Sequence, residues 1–222
     1  MIKFNTFWVR ILGIFGAVGG LILFAGDLLF YFDPLSNNLK LNMSQSSDFR
    51  LILSAITALF ATWFYMLGAI HIYYAFRKSS MFVRNIVVMS FLAIFTAYGV
   101  VHGAYVAIAT SARIASENNL DLMTTTELAS NINNILRYFI YPIFALLAYF
   151  FISEVWKRKT LYPRWIILFF PLVPFVFYGS LRANLSGLYW IIFVGGFFNL
   201  IIVLFFIAST IALWNSYQKG EE

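Results

Sequence analysis

Long apolar stretches separated by short polar ones dominate this chain. Six runs, approximately 8–32, 51–76, 83–110, 133–156, 165–181 and 188–214, are almost free of charge. About 20 residues at 1.5 Å each cross roughly 30 Å of hydrocarbon, and all six runs are long enough, the fifth being the shortest. None alternates with a period of two, and open strands do not survive in a bilayer, so each run predicts a helix. The expected fold is an all-α, polytopic membrane protein, six transmembrane helices in a single domain over residues 1–222.

Small residues predict how these helices meet. Gly13, Gly20 and Asp27 recur at one spacing and share a side of the first helix with Gly16 and Ala17; Ser54, Ala61, Gly68 and Ala75 form the matching stripe on the second. Such faces let backbones approach closely, within one chain or between two copies, so a homo-oligomer through the Gly/Ala faces is a second expectation. Pro142, Pro171 and Pro174 each remove a backbone donor, and the kinks they cause are expected to face the bundle.

Charge sets the orientation. Lys3, Arg10, Arg77, Lys78, Arg84, Lys157, Arg158, Lys159, Arg164 and Lys219 fall in the N-terminal segment, two turns and the tail, which places both termini in the cytoplasm. The opposite loops, 33–50, 111–132 and 182–187, balance Lys40, Arg50, Arg113 and Arg182 with Asp33, Asp48, Glu117, Asp121 and Glu127. There, Arg113 and Glu117 are spaced to pair on one helix face, and Thr124 with Glu127 reads as a capping box opening the fourth helix near Thr125. The third and fourth helices should then project beyond the membrane as a hairpin. Loop 33–50, starting Asp33-Pro34, reads as a flexible or short-helical cover over the outer mouth.

Composition narrows the function classes. Hydrophobic residues are 62% and charged residues 11% of the sequence, which excludes a soluble domain. The net charge of +6 needs no nucleic-acid partner, because it lies at the helix ends. Without cysteine there is no disulfide, thiolate nucleophile, Cys-ligated zinc or iron–sulfur cluster. The two histidines, His71 and His102, lie on neighbouring helices at heights about 21 Å apart, so neither a bis-histidine haem nor a metal centre is expected, and no cofactor. A bias to Ile, Phe, Asn and Lys suggests a bacterial inner membrane. A cleaved signal peptide is the competing account of the first run, which however continues past Asp27 to Phe32.

Asp27 carries the candidate chemistry. A carboxylate at membrane depth is usually paired, hydrated or functional. Counting turns puts Asp27, His102 and Arg137 at one level below the outer surface, with Tyr105, Ala109 and Arg113 on the same stripe as His102. Arg137 with Tyr141, and Tyr178 with Arg182, form i, i+4 pairs. The expectation is an outward-opening pocket of Asp27, His102, Arg137, Tyr141, Tyr178 and Arg182, set against a bland alternative in which Asp27 pairs with His102 or Arg137 only to fix packing. His71 is expected to bond a backbone carbonyl, Tyr74 or Glu154. Asn199, a mid-membrane amide, reads as interhelical glue.

Three functions compete. Guanidinium groups around an outer pocket suit a lipid headgroup or a small anionic or zwitterionic molecule, bound or transported, with membrane lipids as the natural partners. Six spans with both termini inside, and the spacings Gly13, Ala17 and Gly16, Gly20, resemble the substrate-binding subunits of energy-coupling-factor vitamin transporters; no vitamin-binding motif carries over. An intramembrane lipid-modifying enzyme would use Asp27 and His102 as its catalytic acid/base pair. Gly26-Asp27-Leu28-Leu29 resembles a helix of lysoplasmalogenase-type membrane hydrolases, which have more spans. The third reading is a structural or assembly protein without a ligand. The stretch GGLILFAGDLLFYF resembles the first helix of uncharacterised bacterial six-helix families of about this length, a likeness that covers the whole chain and implies no particular activity.

Overall fold

The computed structural model describes residues 6–33 and 35–214; Lys3, Pro34 and Lys219 lie outside the described residues. The first run forms α1 (Thr6–Tyr31), a short α2 (Leu39–Ser44) covers its C-terminal end, and α3 (Asp48–Ala75), α4 (Met81–Glu117) and α5 (Leu122–Trp156) follow as long helices. Each start has a local cause. Asn38, Ser47, Ser80 and Asp121 accept the backbone N–H of the third residue of α2, α3, α4 and α5 respectively, one of the free donors of the first turn.

These four long helices, α1, α3, α4 and α5, are apolar enough to cross a membrane. Their exposed sides carry Leu59, Phe60, Trp63, Phe139 and Tyr149, groups that water would penalise and acyl chains accept. At 37 and 35 residues, α4 and α5 run about 55 Å and exceed the hydrocarbon thickness, as the expected hairpin requires. Asn119, at φ 53°, turns the chain between them, and Leu120 N–H closes on the Ala115 carbonyl at 2.8 Å.

The fifth and sixth runs depart from expectation. Residues 165–181 do not make one helix; a 3₁₀ helix (Arg164–Phe169), α6 (Leu172–Phe175) and α7 (Tyr178–Asn184) replace it. Pro171 and Pro174 cannot donate to the preceding turn, and the run breaks there. The sixth starts as α8 (Gly187–Trp190), passes through a π-helical turn (Ile191–Gly195) and continues as α9 (Phe197–Leu213), bent by 62° at the break. The described residues therefore hold four continuous candidate spans and one bent pair.

Other local expectations are also corrected. The α5 N-cap is Asp121, whose Oδ1 takes the Thr124 N–H at 2.7 Å, so Thr124 lies inside the helix and the capping box near Thr125 does not form. Arg113 turns away from Glu117 to Asp48 and the Ser46 carbonyl, tying α4 to the α2–α3 corner. Pro142 lies on an exposed face of α5, away from the bundle.

The small-residue stripes are spent inside the chain. A Cβ on Gly68 would lie 2.8 Å from the Gly16 Cα, and Ser54, Ala61 and Ala75 are fully buried. α1 is held between α3 and α9, and a cluster of rings from Phe91, Phe95, Phe151, Phe205 and Phe206 fills the centre. Arg10 Nη2 donates to the Trp214 carbonyl at 2.7 Å, bringing the start of α1 and the end of α9 to one face.

A buried polar junction between four helices

Close packing of α1 and α3 sets the site. Gly26 has no room for a Cβ, which would lie 3.0 Å from His102 Nε2 and meet Thr57 Oγ1, so the imidazole of α4 can reach between the two helices. His102 Nδ1 stands 3.1 Å from Asp27 Oδ1, and its Nε2 stands 2.9 Å from Ser54 Oγ. Ser54 also donates to the Gly26 carbonyl at 2.7 Å. From α9, Asn199 Nδ2 donates to Asp27 Oδ2 at 2.6 Å. The side chain of His102 is 4% exposed and that of Asp27 14%. Phe30 covers the imidazole, with ring centroids 4.9 Å apart.

The other expected residues lie further out. Arg137 bonds the Tyr105 hydroxyl, its guanidinium 5.3 Å over that ring, and Tyr105 packs on Phe30 at 5.9 Å. Among the described residues Arg137 makes no ion pair with Asp27. Tyr178 stacks on Phe175 at 5.6 Å, and with Arg182, Lys40, Asn38 and Trp190 it lines an open groove of about 620 Å³. Tyr141 is exposed beside Tyr138 on the outer face of α5. Tyr31 links junction and groove: its hydroxyl donates to the Gly195 carbonyl at 2.6 Å, and its electrostatic neighbours include Asp27, Tyr105 and Tyr178.

A family model described as "Family of unknown function (DUF6796)" matches residues 3–219. The chain belongs to this family. No curated protein and no solved structure matches it. Membership of DUF6796 assigns no activity, so the site has to be read from its own chemistry.

In this DUF6796 chain, Ser54, His102 and Asp27 have the connectivity of a nucleophile, a base and an orienting acid. Two features oppose a nucleophilic Ser54. Its side chain is fully buried, and the backbone group against its hydroxyl is a carbonyl, which repels an oxyanion instead of binding it. The junction is better suited to holding a proton or a cation.

A second DUF6796 histidine sits at the opposite end. Fully buried His71 bonds the Val9 carbonyl through Nδ1 and Ser209 Oγ through Nε2, both at 2.8 Å, and Tyr162 joins Ser209 at 2.6 Å. The backbone-carbonyl partner is as expected. Both imidazole nitrogens have partners within the protein, and the arrangement fastens α1, α3 and α9.

Ser54, Asn199 and Tyr31 were not among the expected site residues. Ser54 gave the signal of a small packing residue and Asn199 that of interhelical glue; each does that work and also bonds the charged pair.

Proposed function

We propose that this membrane protein binds a lipid headgroup or a small anionic or zwitterionic molecule at the outer end of the bundle, for transport across the bilayer. One observation carries the reading: an acid, an imidazole, an amide and a hydroxyl from four helices meet beside a groove walled by Lys40 and Arg182. Packing alone does not require them, because apolar side chains of similar volume hold helices together as well or better. Broken backbone beside the groove supports movement during transport, since irregular segments at membrane depth persist where they line a cavity.

The same reading takes Arg77, Arg84, Arg158 and Arg164 as cytoplasmic and the groove as external. Its support is the course of the broken segment: Tyr162 touches Ser209 near one end of α9, and Tyr178 packs on Phe197 at the other, about 18 Å away. On this reading residues 164–184 count as a sixth crossing, beside the four continuous spans and the bent pair, and both ends of the described chain share one face. Reporter fusions to the Ser80 and Asn119 turns test it; an external signal from Ser80 overturns the orientation.

The binding test is native mass spectrometry of protein purified in mild detergent. Wild type should retain a bound lipid or solute that the double variant Lys40→Gln/Arg182→Gln loses. Equal retention by both, or none by wild type, refutes the pocket. The enzyme alternative, with Asp27 and His102 as an acid/base pair, is favoured by their 3.1 Å contact; a lipid product made by wild type and lost in Asp27→Asn would establish it.

A further inference from the structure

The end of the bundle away from the groove gathers cations on two turns that touch. Ser79 Oγ donates to the Lys159 carbonyl at 2.8 Å, and Leu161 N–H donates to the Ala75 carbonyl at 2.8 Å, so the turn between α3 and α4 lies against the turn that follows α5. The first turn brings Arg77, Lys78 and, just inside α4, Arg84; the second brings Arg158. Among the described residues the ion pairs are Asp27–His102 and Asp48–Arg113, both at the other end. Glu154, the acid nearest in sequence to the second turn, is buried and takes none of these cations.

Membrane insertion explains positive charge in a turn, but not how these groups are held. The Arg77 guanidinium lies 4.6 Å over the Tyr74 ring, and that of Arg84 lies 4.6 Å over the Tyr73 ring. Tyr73 and Tyr74 are consecutive in the last turn of α3, so both guanidinium groups are fixed at one level. A ring face holds the cation and leaves its in-plane N–H donors for an anion. Arg84 Nε is buried with no hydrogen-bond partner among the described residues. Arg10 and Arg164 also stack on rings, those of Trp214 and Trp156, yet each donates to the same residue's carbonyl, at 2.7 and 2.9 Å. Among the described residues Arg77 and Arg84 have no such acceptor.

Arg158 is an independent mark. Lys159 N–H bonds the Glu154 carbonyl at 2.9 Å and Arg158 N–H bonds the Val155 carbonyl at 3.0 Å, a closure of α5 that puts Arg158 at φ 58°. Glycine takes that left-handed position without penalty, and an arginine does not. Its side chain is exposed and makes no ion pair among the described residues, so the strain returns nothing to the fold.

What lies beside the cations selects the occupant. Met81 and Phe82, between Lys78 and Arg84 in sequence, are 68% and 70% exposed, and they open a helix apolar enough to cross a membrane. A soluble anion would leave those side chains bare, whereas an acyl chain covers them. We infer that this end of the bundle binds an anionic phospholipid, whose phosphate accepts from Arg77 and Arg84, with Lys78 and Arg158 adding positive field and Met81 and Phe82 meeting its acyl chains. A zwitterionic lipid is held less well, because its own cation opposes that field. The site is separate from the groove and does not rest on it.

The test is native mass spectrometry of the full chain in neutral detergent, titrated with phosphatidylglycerol or with phosphatidylcholine of the same acyl chains. The chain carries Lys40→Gln/Arg182→Gln throughout, so that lipid held at the groove is not counted. Phosphatidylglycerol should bind about tenfold tighter or more, as each basic group near an anionic lipid is worth about fivefold. Adding Arg77→Gln/Arg84→Gln should remove the preference. Adding Arg158→Gly instead should lower it about fivefold and leave the unfolding temperature unchanged or higher, since the strain goes and no internal contact is lost. Equal binding of the two lipids, or a preference that survives Arg77→Gln/Arg84→Gln, overturns the site. Where that pair of substitutions does not fold, an unchanged preference in Arg158→Gly does the same. A lower unfolding temperature in Arg158→Gly shows that Arg158 serves the fold and removes it from the site. Glycerol 3-phosphate bound as tightly as phosphatidylglycerol overturns the lipid as occupant.

Discussion

Asn199 of α9 donates to Asp27 across 2.6 Å, on the carboxylate oxygen opposite the one that meets His102. This bond joins the helix after the 62° bend to α1 at the depth of the charged pair. Asn199→Leu strips a donor from a mostly buried carboxylate, and the expected loss is about 1–3 kcal/mol. Asn199→Asp should be worse at pH 8 and partly recover on acidification, as protonation of one acid removes the repulsion. Thermal unfolding in detergent at the two pH values reads both effects.

Asp27 and His102 should behave as a unit. Removing either alone strands the other at membrane depth, at a cost of about 3–5 kcal/mol. The double variant Asp27→Ala/His102→Ala should lose clearly less than the two single losses combined, with a coupling of about 0.5–3 kcal/mol. Additive losses in a double-mutant cycle would show that the contact does not couple them.

Gly26 is a steric requirement. In Gly26→Ala the new methyl meets Thr57 Oγ1 and lies 3.0 Å from His102 Nε2, an overpacking expected to cost about 1–3 kcal/mol. Thr57→Ala removes the nearest obstruction and should restore part of the loss. Failure of this suppression would mean that the imidazole, and not Thr57, is the tighter limit.

His71 separates stability from ligand binding. His71→Leu leaves the Val9 carbonyl and Ser209 without their shared partner, and a loss of about 1–3 kcal/mol is expected. Because His71 belongs to the opposite end, any solute retained by wild type should still be retained.

The start of α5 should be acid-sensitive. Hydrogen bonds from Thr124 hold the Asp121 carboxyl below its ordinary value of 3.8. A group lowered on folding stabilises the fold above its unfolded pKa and loses that contribution as pH falls through the folded one. Amide exchange of the first turn of α5 should therefore speed up on acidification relative to the rest of that helix, and Asp121→Ala should remove the difference.

Much of this was legible in the apolar runs. α1, α3, α4 and α5 came from run length, and the Asp27 side of α1 followed from its small residues, because helical period and lipid exclusion act locally. Depth put Asp27, His102 and Arg137 at one level and left two partners open for the acid, of which His102 meets it and Arg137 turns to Tyr105. What failed needed distance information. Arg113 preferred Asp48, far away in sequence, to Glu117 on its own helix. The fifth run looked like a helix because apolar content says nothing of whether a proline-rich stretch can satisfy its backbone. Arg137 and Tyr141 share one helix face by spacing, yet Arg137 turns to Tyr105 and Tyr141 stays at the surface.

The interrupted course of residues 164–195 gives the molecule two mechanical halves. Four continuous rods resist bending, whereas the flank beside α9 is assembled from one-turn and two-turn pieces joined at prolines and glycines. A change in the distance between Tyr178 and Lys40 would therefore ask for rotation at those joints and leave the four rods intact.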